Sequence, residues 1–163
     1  MKVKGYFGEI IEYTPMTINE LKTIPRKMKR LNDLKNLYNN TDYSTVKAVN
    51  YDSIGSQTHK HDQLEIAAIN ISEARNNVLR EIYELSIYLC KAINNATDII
   101  GFITPISESQ ADFLMQRFIE CNSIDHIMDS MDQTDKSAFY KLQKRSLESF
   151  ENIQIEHKKL YPE

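Results

Sequence analysis

SESQADFLMQRFIECNSIDHIMDSMDQTDKSAFYKLQKRSLESFE, residues 107–151, divides into three segments of helical apolar spacing separated by polar breaks. Ser107 stands where an N-cap would, ahead of Ala111, Leu114, Met115, Phe118 and Ile119. Cys121 and Asn122 end that pattern. Ser123 then caps a short helix with Ile124, Ile127, Met128 and Met131 on its apolar face. Asp132, Gln133 and Thr134 turn the chain, and Asp135 (or Thr134) caps a last helix built on Phe139, Leu142, Leu147 and Phe150. A helix followed by helix, tight turn and helix is the order of a helix-turn-helix, whose final helix lies in the major groove with its first residues at base edges. On that helix Lys136, Ser137, Tyr140 and Lys141 can face outward, Lys144 continues the face and Arg145 flanks it. Lys and Arg suit phosphates and guanine edges; Ser and Tyr suit phosphates or bases. The same spacing also describes the solvated face of any surface helix.

Charge works against the first of these readings. The 163 residues carry a formal charge of −3. Residues 1–60 hold ten Lys/Arg against six Asp/Glu, whereas residues 105–163 hold seven against eleven. Asp125, Asp129, Asp132 and Asp135 crowd the helix and turn that would approach phosphates, and affinity for a duplex comes chiefly from Lys and Arg releasing counterions. The basic run Lys22, Arg26, Lys27, Lys29, Arg30 and Lys35 lies in an earlier helix. Arg26, Lys27, Lys29 and Arg30 are therefore candidate phosphate contacts, with a solvated helix face as the alternative.

Upstream, residues 1–16 alternate partially and suggest a short strand or arm that needs a partner to form a sheet. Thr17 and Glu20 have capping-box spacing. Ile18, Leu21, Ile24, Met28, Leu31, Leu34 and Tyr38 then trace one apolar face, in which Pro25 predicts a kink or a fresh start. Residues 41–60 lack a helical stripe and read as a long loop. Residues 61–95 read as a long helix. Leu64, Ile71, Val78 and Leu85 recur every seven residues, as do Ala68, Arg75, Ile82 and Leu89, which is a coiled-coil-like seam. Residues 85–93 are apolar nearly all round, which implies cover on every side, from the C-terminal helices or a second subunit. The expected organisation is all-α: an arm or strand at 1–16, an antiparallel helical hairpin at 17–96 with its loop at 41–60, a connector at 97–106, and a helix-turn-helix domain at 107–163.

Other chemistry finds little support. His59, His61 and Asp62 are metal-ligand types close together, but His126 and His157 are not placed to complete a four-ligand site. Cys90 and Cys121 read as reduced, buried thiols without a basic neighbour pattern. No phosphate-binding glycine loop, HExxH or GxSxG occurs, so no enzyme and no cofactor are expected. The N-terminus lacks the apolar core of a signal peptide, and no run of apolar residues reaches membrane-spanning length.

The order of pieces carries a family resemblance. Arg117, Phe118 and Ile119, then Ser123 to Ile127 (SIDHI), then Tyr140 to Leu147 (YKLQKRSL) resemble the sigma-factor region-four-like helix-turn-helix of phage transcriptional regulators of the RinA/ArpU type. The preceding LKTIPRKMKRLNDLKNLY, the loop with Tyr51, Asp52, Ser53 and Ile54, and the long helix also look like the region before that motif, so the resemblance spans about residues 17–150. Three positions depart from the pattern. Met128 stands where a small Ala is usual, Asp132, Gln133 and Thr134 replace a glycine turn, and Lys136 with Ser137 replaces a basic pair. The resemblance implies a regulator of phage or prophage late genes in the bacterial cytoplasm. It would bind double-stranded DNA upstream of those genes and act with host RNA polymerase, with the hairpin setting a homo-oligomer or holding the polymerase contact. The alternative is a helical protein–protein interaction module with a degenerate helix-turn-helix.

Overall fold

The computed structural model describes residues 1–5, 8–40 and 57–162, with side chains from residue 69 onward in the last stretch. Two short strands, β1 (Lys2–Lys4) and β2 (Ile10–Glu12), precede five helices: α1 (Ile18–Asn40), α2 (Gln57–Ile103), α3 (Glu108–Leu114), α4 (Ile124–Ser130) and α5 (Lys136–Leu160). The fold is all-α with this one small sheet among the described residues. By packing, the chain forms two compact units, Met1–Lys27 with Leu89–Glu163, and Met28–Tyr88.

The N-terminal arm does not wait for a partner strand. β1 and β2 pair with each other antiparallel, Val3 opposite Ile11, and Gly8 takes the φ of 88° that the reversal between them needs. Val3 and Tyr13 are the buried residues that seat this hairpin. The capping box forms as its spacing predicts. Thr17 N donates to Glu20 Oε2 at 2.7 Å and Glu20 N donates to Thr17 Oγ1 at 3.2 Å. The bonds that Thr17 N and Thr17 Oγ1 donate to the Glu20 carboxylate hold it below its usual range.

Helix α1 runs through Pro25 as one helix, so of the expected kink or fresh start, the fresh start does not occur. The missing amide costs one hydrogen bond, but Leu21 and Ile24 on one side of it and Leu31 and Leu34 on the other are all buried on the same face. That shared burial keeps the helix in one piece. In the unit Met28–Tyr88, Arg30 pairs with Glu81 at 3.0 Å and the Arg75 guanidinium lies 4.7 Å over the Tyr38 ring. Contacts 30 to 81 and 38 to 75 run in opposite directions along the two helices, which is the antiparallel hairpin. Ile71, Val78, Ile82 and Leu85 are half-buried along its seam.

Helix α2 is longer than its sequence suggests, 57–103 against 61–95, so most of the expected connector at 97–106 is helix. Leu89, Ala92, Ala96, Ile99, Ile100 and Ile103 keep one buried face going. Asn95, read as a stop, is engaged elsewhere: its Oδ1 accepts from Thr14 N and its Nδ2 donates to Thr14 O, both at 2.6 Å. Among the described residues of this single chain, 85–93 is covered on one side only. Leu89 and Ala92 are buried, but Ile87, Tyr88 and Cys90 are exposed. Neither cysteine is fully buried, Cys121 being half-exposed. Of the expected loop, residues 41–56 lie outside the described residues, and 57–60 belong to α2. The side chains of His59, His61 and Asp62 also lie outside the described residues.

Candidate nucleic-acid interface

Three helices build the candidate surface, and a phenylalanine core sets their geometry. Phe113 of α3 meets Phe139 of α5 edge-on at 5.5 Å and Phe118 at 6.4 Å. Each such pair adds about 0.5–1.5 kcal/mol to what burial alone provides. Phe113 was not among the residues expected on this face; the sequence pattern that placed Leu114 and Phe118 assumed regular α spacing. The helix widens instead. Met115–Ile119 form a π-helical segment continuous with α3, and Glu120 N bonds Met115 O. The widened turn brings Phe118 onto the same face as Phe113, five residues earlier, and Phe113, Leu114 and Phe118 are all buried. Cys121 then takes φ 61° and reverses the chain, and Arg117 Nη1 donates to Asn122 O at 2.9 Å to hold that reversal. Burial pushes the Cys121 thiol up, with Arg117 opposing more weakly, so it stays protonated and poorly nucleophilic.

Helix α4 starts where Ser123 predicts, its Oγ accepting from His126 N at 3.2 Å. It ends in a Schellman arrangement: Asp132 N bonds Asp129 O and Gln133 N bonds Met128 O. Asp132 occupies the left-handed position at φ 50° where glycine is usual. Asp tolerates that conformation better than most residues, so the glycine-free turn is still a tight turn. Met128 is buried, filling the space that a smaller residue would leave between α4 and its neighbours.

Helix α5 begins at Lys136 with Asp135 as N-cap, its carboxylate accepting from Ser137 N at 2.8 Å. Phe139, Ser146, Leu147, Phe150, Ile153 and His157 are its buried residues. Ser146 is fully buried and donates its hydroxyl to Leu142 O at 2.8 Å.

Each expected reading-face residue on α5 is exposed: Lys136, Ser137, Tyr140, Lys141, Lys144 and Arg145. No carboxylate stands among residues 136–145. The four aspartates are distributed unevenly. Asp135 sits at the positive end of α5, where the helix dipole partly offsets it. Asp125 and Asp129 are exposed on α4, one turn apart, and the core residues of that helix are Ile127 and Met128. Lys144 pairs with Glu148 at 3.8 Å, an exposed i,i+4 contact worth a few tenths of a kcal/mol. Lys141 and Arg145 have no carboxylate in ion-pair range among the described residues. Both border a hollow of about 370 Å³ that Ser109 of α3 and Gln133 of the turn also line. No local spacing joins Ser109 and Gln133 to α5; tertiary packing alone brings them there.

The second basic run behaves differently. Arg26 and Lys29 are exposed and Lys27 is half-buried. Arg30 is engaged, its guanidinium holding Glu81 through Nε at 3.1 Å and Nη2 at 3.0 Å. The end of α5 is anchored by a buried cluster. Tyr13 OH and His157 Nδ1 lie 3.0 Å apart, and Phe102 meets the imidazole edge-on at 4.5 Å. Burial lowers the His157 pKa, with Glu156 opposing more weakly. No protein-family model, curated protein or solved structure matches the chain. No helix among the described residues is long and apolar enough to cross a membrane.

Proposed function

We propose that this chain is a DNA-binding transcriptional regulator of the RinA/ArpU type, acting on phage or prophage late genes with host RNA polymerase in the bacterial cytoplasm. The observation that carries the reading is the first three turns of α5. They expose Lys136, Ser137, Tyr140, Lys141, Lys144 and Arg145 together, directly after helix, tight turn and N-cap. Arg26 and Lys29 remain candidates for further phosphate contacts, and Arg30 reaches a phosphate only by leaving Glu81. Binding is weak for one chain because Asp125 and Asp129 repel phosphates near the same helices. The test is retention of duplex from upstream of phage genes at two salt concentrations. Replacing Lys141 and Lys144 by Glu abolishes retention if α5 reads the groove. Full affinity in that double variant removes α5 from the role.

A second copy belongs to this reading. Leu79, Tyr83 and Ile87 of α2 are exposed at four-residue spacing, Tyr83 by 67%. Arg80 and Glu84 are exposed along one flank of that stripe. In an antiparallel helix pair with a twofold axis at the level of Ile82, equal flanks meet. Arg80 then faces Glu84 of the second copy, and the reciprocal pair forms as well. A parallel pair brings unlike flanks together and makes neither contact. The apolar stripe with exposed Asp125 and Asp129 also supports the other reading, an interaction module that has lost duplex binding. A stable protein partner with no duplex retention at low salt favours that one.

A further inference from the structure

The hollow beside α5 is more than a gap between side chains. Its floor is apolar, made by Met131, Ala138 and Leu142. Ser109 of α3, Gln133 of the turn, and Lys141 and Arg145 of α5 also line it, bringing side chains with donor groups from three separate elements. No carboxylate is among the lining residues, although Glu108, Asp132 and Asp135 are close in sequence. The two cations are one helical turn apart and have no ionic partner among the described residues, whereas Lys144 beside them is paired with Glu148.

We infer that this hollow is a seat for one sugar–phosphate unit of a nucleic-acid backbone. This inference rests on the regulator reading and adds to it two residues, Ser109 and Gln133, that have no place in the reading face. The donors match the ligand's charge and shape. Lys141 and Arg145 neutralise a phosphodiester, Arg145 with a fork that can hold two of its oxygens, and the neutral donors complete its hydrogen bonds. The floor selects among anions. A bare phosphate gains nothing from Met131, Ala138 and Leu142, whereas the carbon face of a deoxyribose packs on them. The consequence is positional. A backbone held between α3, the turn and the outer side of α5 fixes the register in which Lys136, Ser137 and Tyr140 meet the bases, without reading sequence itself.

The experiment is anisotropy of a labelled duplex against full-length protein over a salt series, with Gln133→Glu compared to Asn19→Glu. Both variants add one negative charge, but Asn19 is exposed at the start of α1. Gln133→Glu lowers duplex affinity about tenfold and flattens the salt slope by about 0.9, the equivalent of one phosphate contact. Asn19→Glu leaves the slope as in the wild type. A second arm adds inorganic phosphate while following the Gln133 side-chain amide by NMR. Shifts that saturate with duplex and not with phosphate support a sugar–phosphate seat; equal saturation by both overturns the sugar assignment. Equal affinity and slope for Gln133→Glu and Asn19→Glu overturn the seat while the regulator reading stands. A wild type that binds no duplex at low salt overturns both.

Discussion

Two residues show how local chemistry sets the properties of this chain. Asp132 sits at the left-handed end of α4, next to the negative pole of the helix dipole and three residues from Asp129. Both backbone strain and charge are unfavourable there. Asp132→Gly is expected to stabilise the fold by about 0.5–1 kcal/mol, after the larger unfolded-state entropy of glycine is counted. An unchanged or lower thermal midpoint contradicts that balance. His157 acts on pH dependence. Its pKa is lowered in the fold, so the unfolded chain binds the proton more readily. Its contribution is complete above the unfolded value near 6.5 and is lost as pH falls below it. Protonated imidazole can only donate to Tyr13 OH, whereas the neutral ring can take either role, and the charge sits among Tyr13 and Phe102. The thermal midpoint should drop as pH falls below about 6.5, and His157→Phe should flatten that drop. An equal slope in wild type and variant assigns the effect to other groups.

At the scale of elements, the segment joining β2 to α1 illustrates how irregular backbone is held. Asn95 of α2 bonds both polar groups of Thr14, and Gln154 of α5 bonds both polar groups of Met16, accepting from N at 2.7 Å and donating to O at 3.0 Å. Each side-chain amide stands in for the neighbouring strand that this extended segment lacks. Two helices of the same unit are thereby tied to one short stretch. Gln154→Ala, whose bonds are part-buried, should cost about 1–3 kcal/mol in denaturant unfolding, and Asn95→Ala, whose bonds are exposed, about 0.5–1.5 kcal/mol. A change under about 0.5 kcal/mol in either variant means that water replaces the amide without loss. Neither clamp is visible in the sequence, where Asn95 among polar neighbours looks like the end of a helix.

For the whole molecule, the second copy proposed for the exposed stripe of α2 makes self-association the property to measure. Sedimentation over a range of concentrations is expected to show self-association that Tyr83→Glu with Ile87→Glu removes. Arg80→Glu turns two attractive pairs into two repulsive ones and should weaken the dimer about tenfold, equivalent to about 1.4 kcal/mol. Adding Glu84→Arg restores complementarity, and with it the dimer. A rescue that fails rules out the antiparallel register, and a wild type that stays monomeric rules out the surface. Much of this architecture was legible from the chain alone. The helical periodicities, the capping box at Thr17 and Glu20, the Ser123 and Asp135 caps and the outward face of α5 all arise from interactions within a few residues, which spacing and residue type record directly. What packing decided were the features that need a distant partner. Helix α1 passes Pro25 because buried leucines on both sides hold it, α2 continues to Ile103 because its apolar face stays covered, and the arm pairs with itself. The π segment brings Phe113 and Phe118 to one core. The hollow that joins Ser109 and Gln133 to Lys141 and Arg145 exists only once three elements meet, and no local pattern encodes a site whose parts are neighbours in space alone.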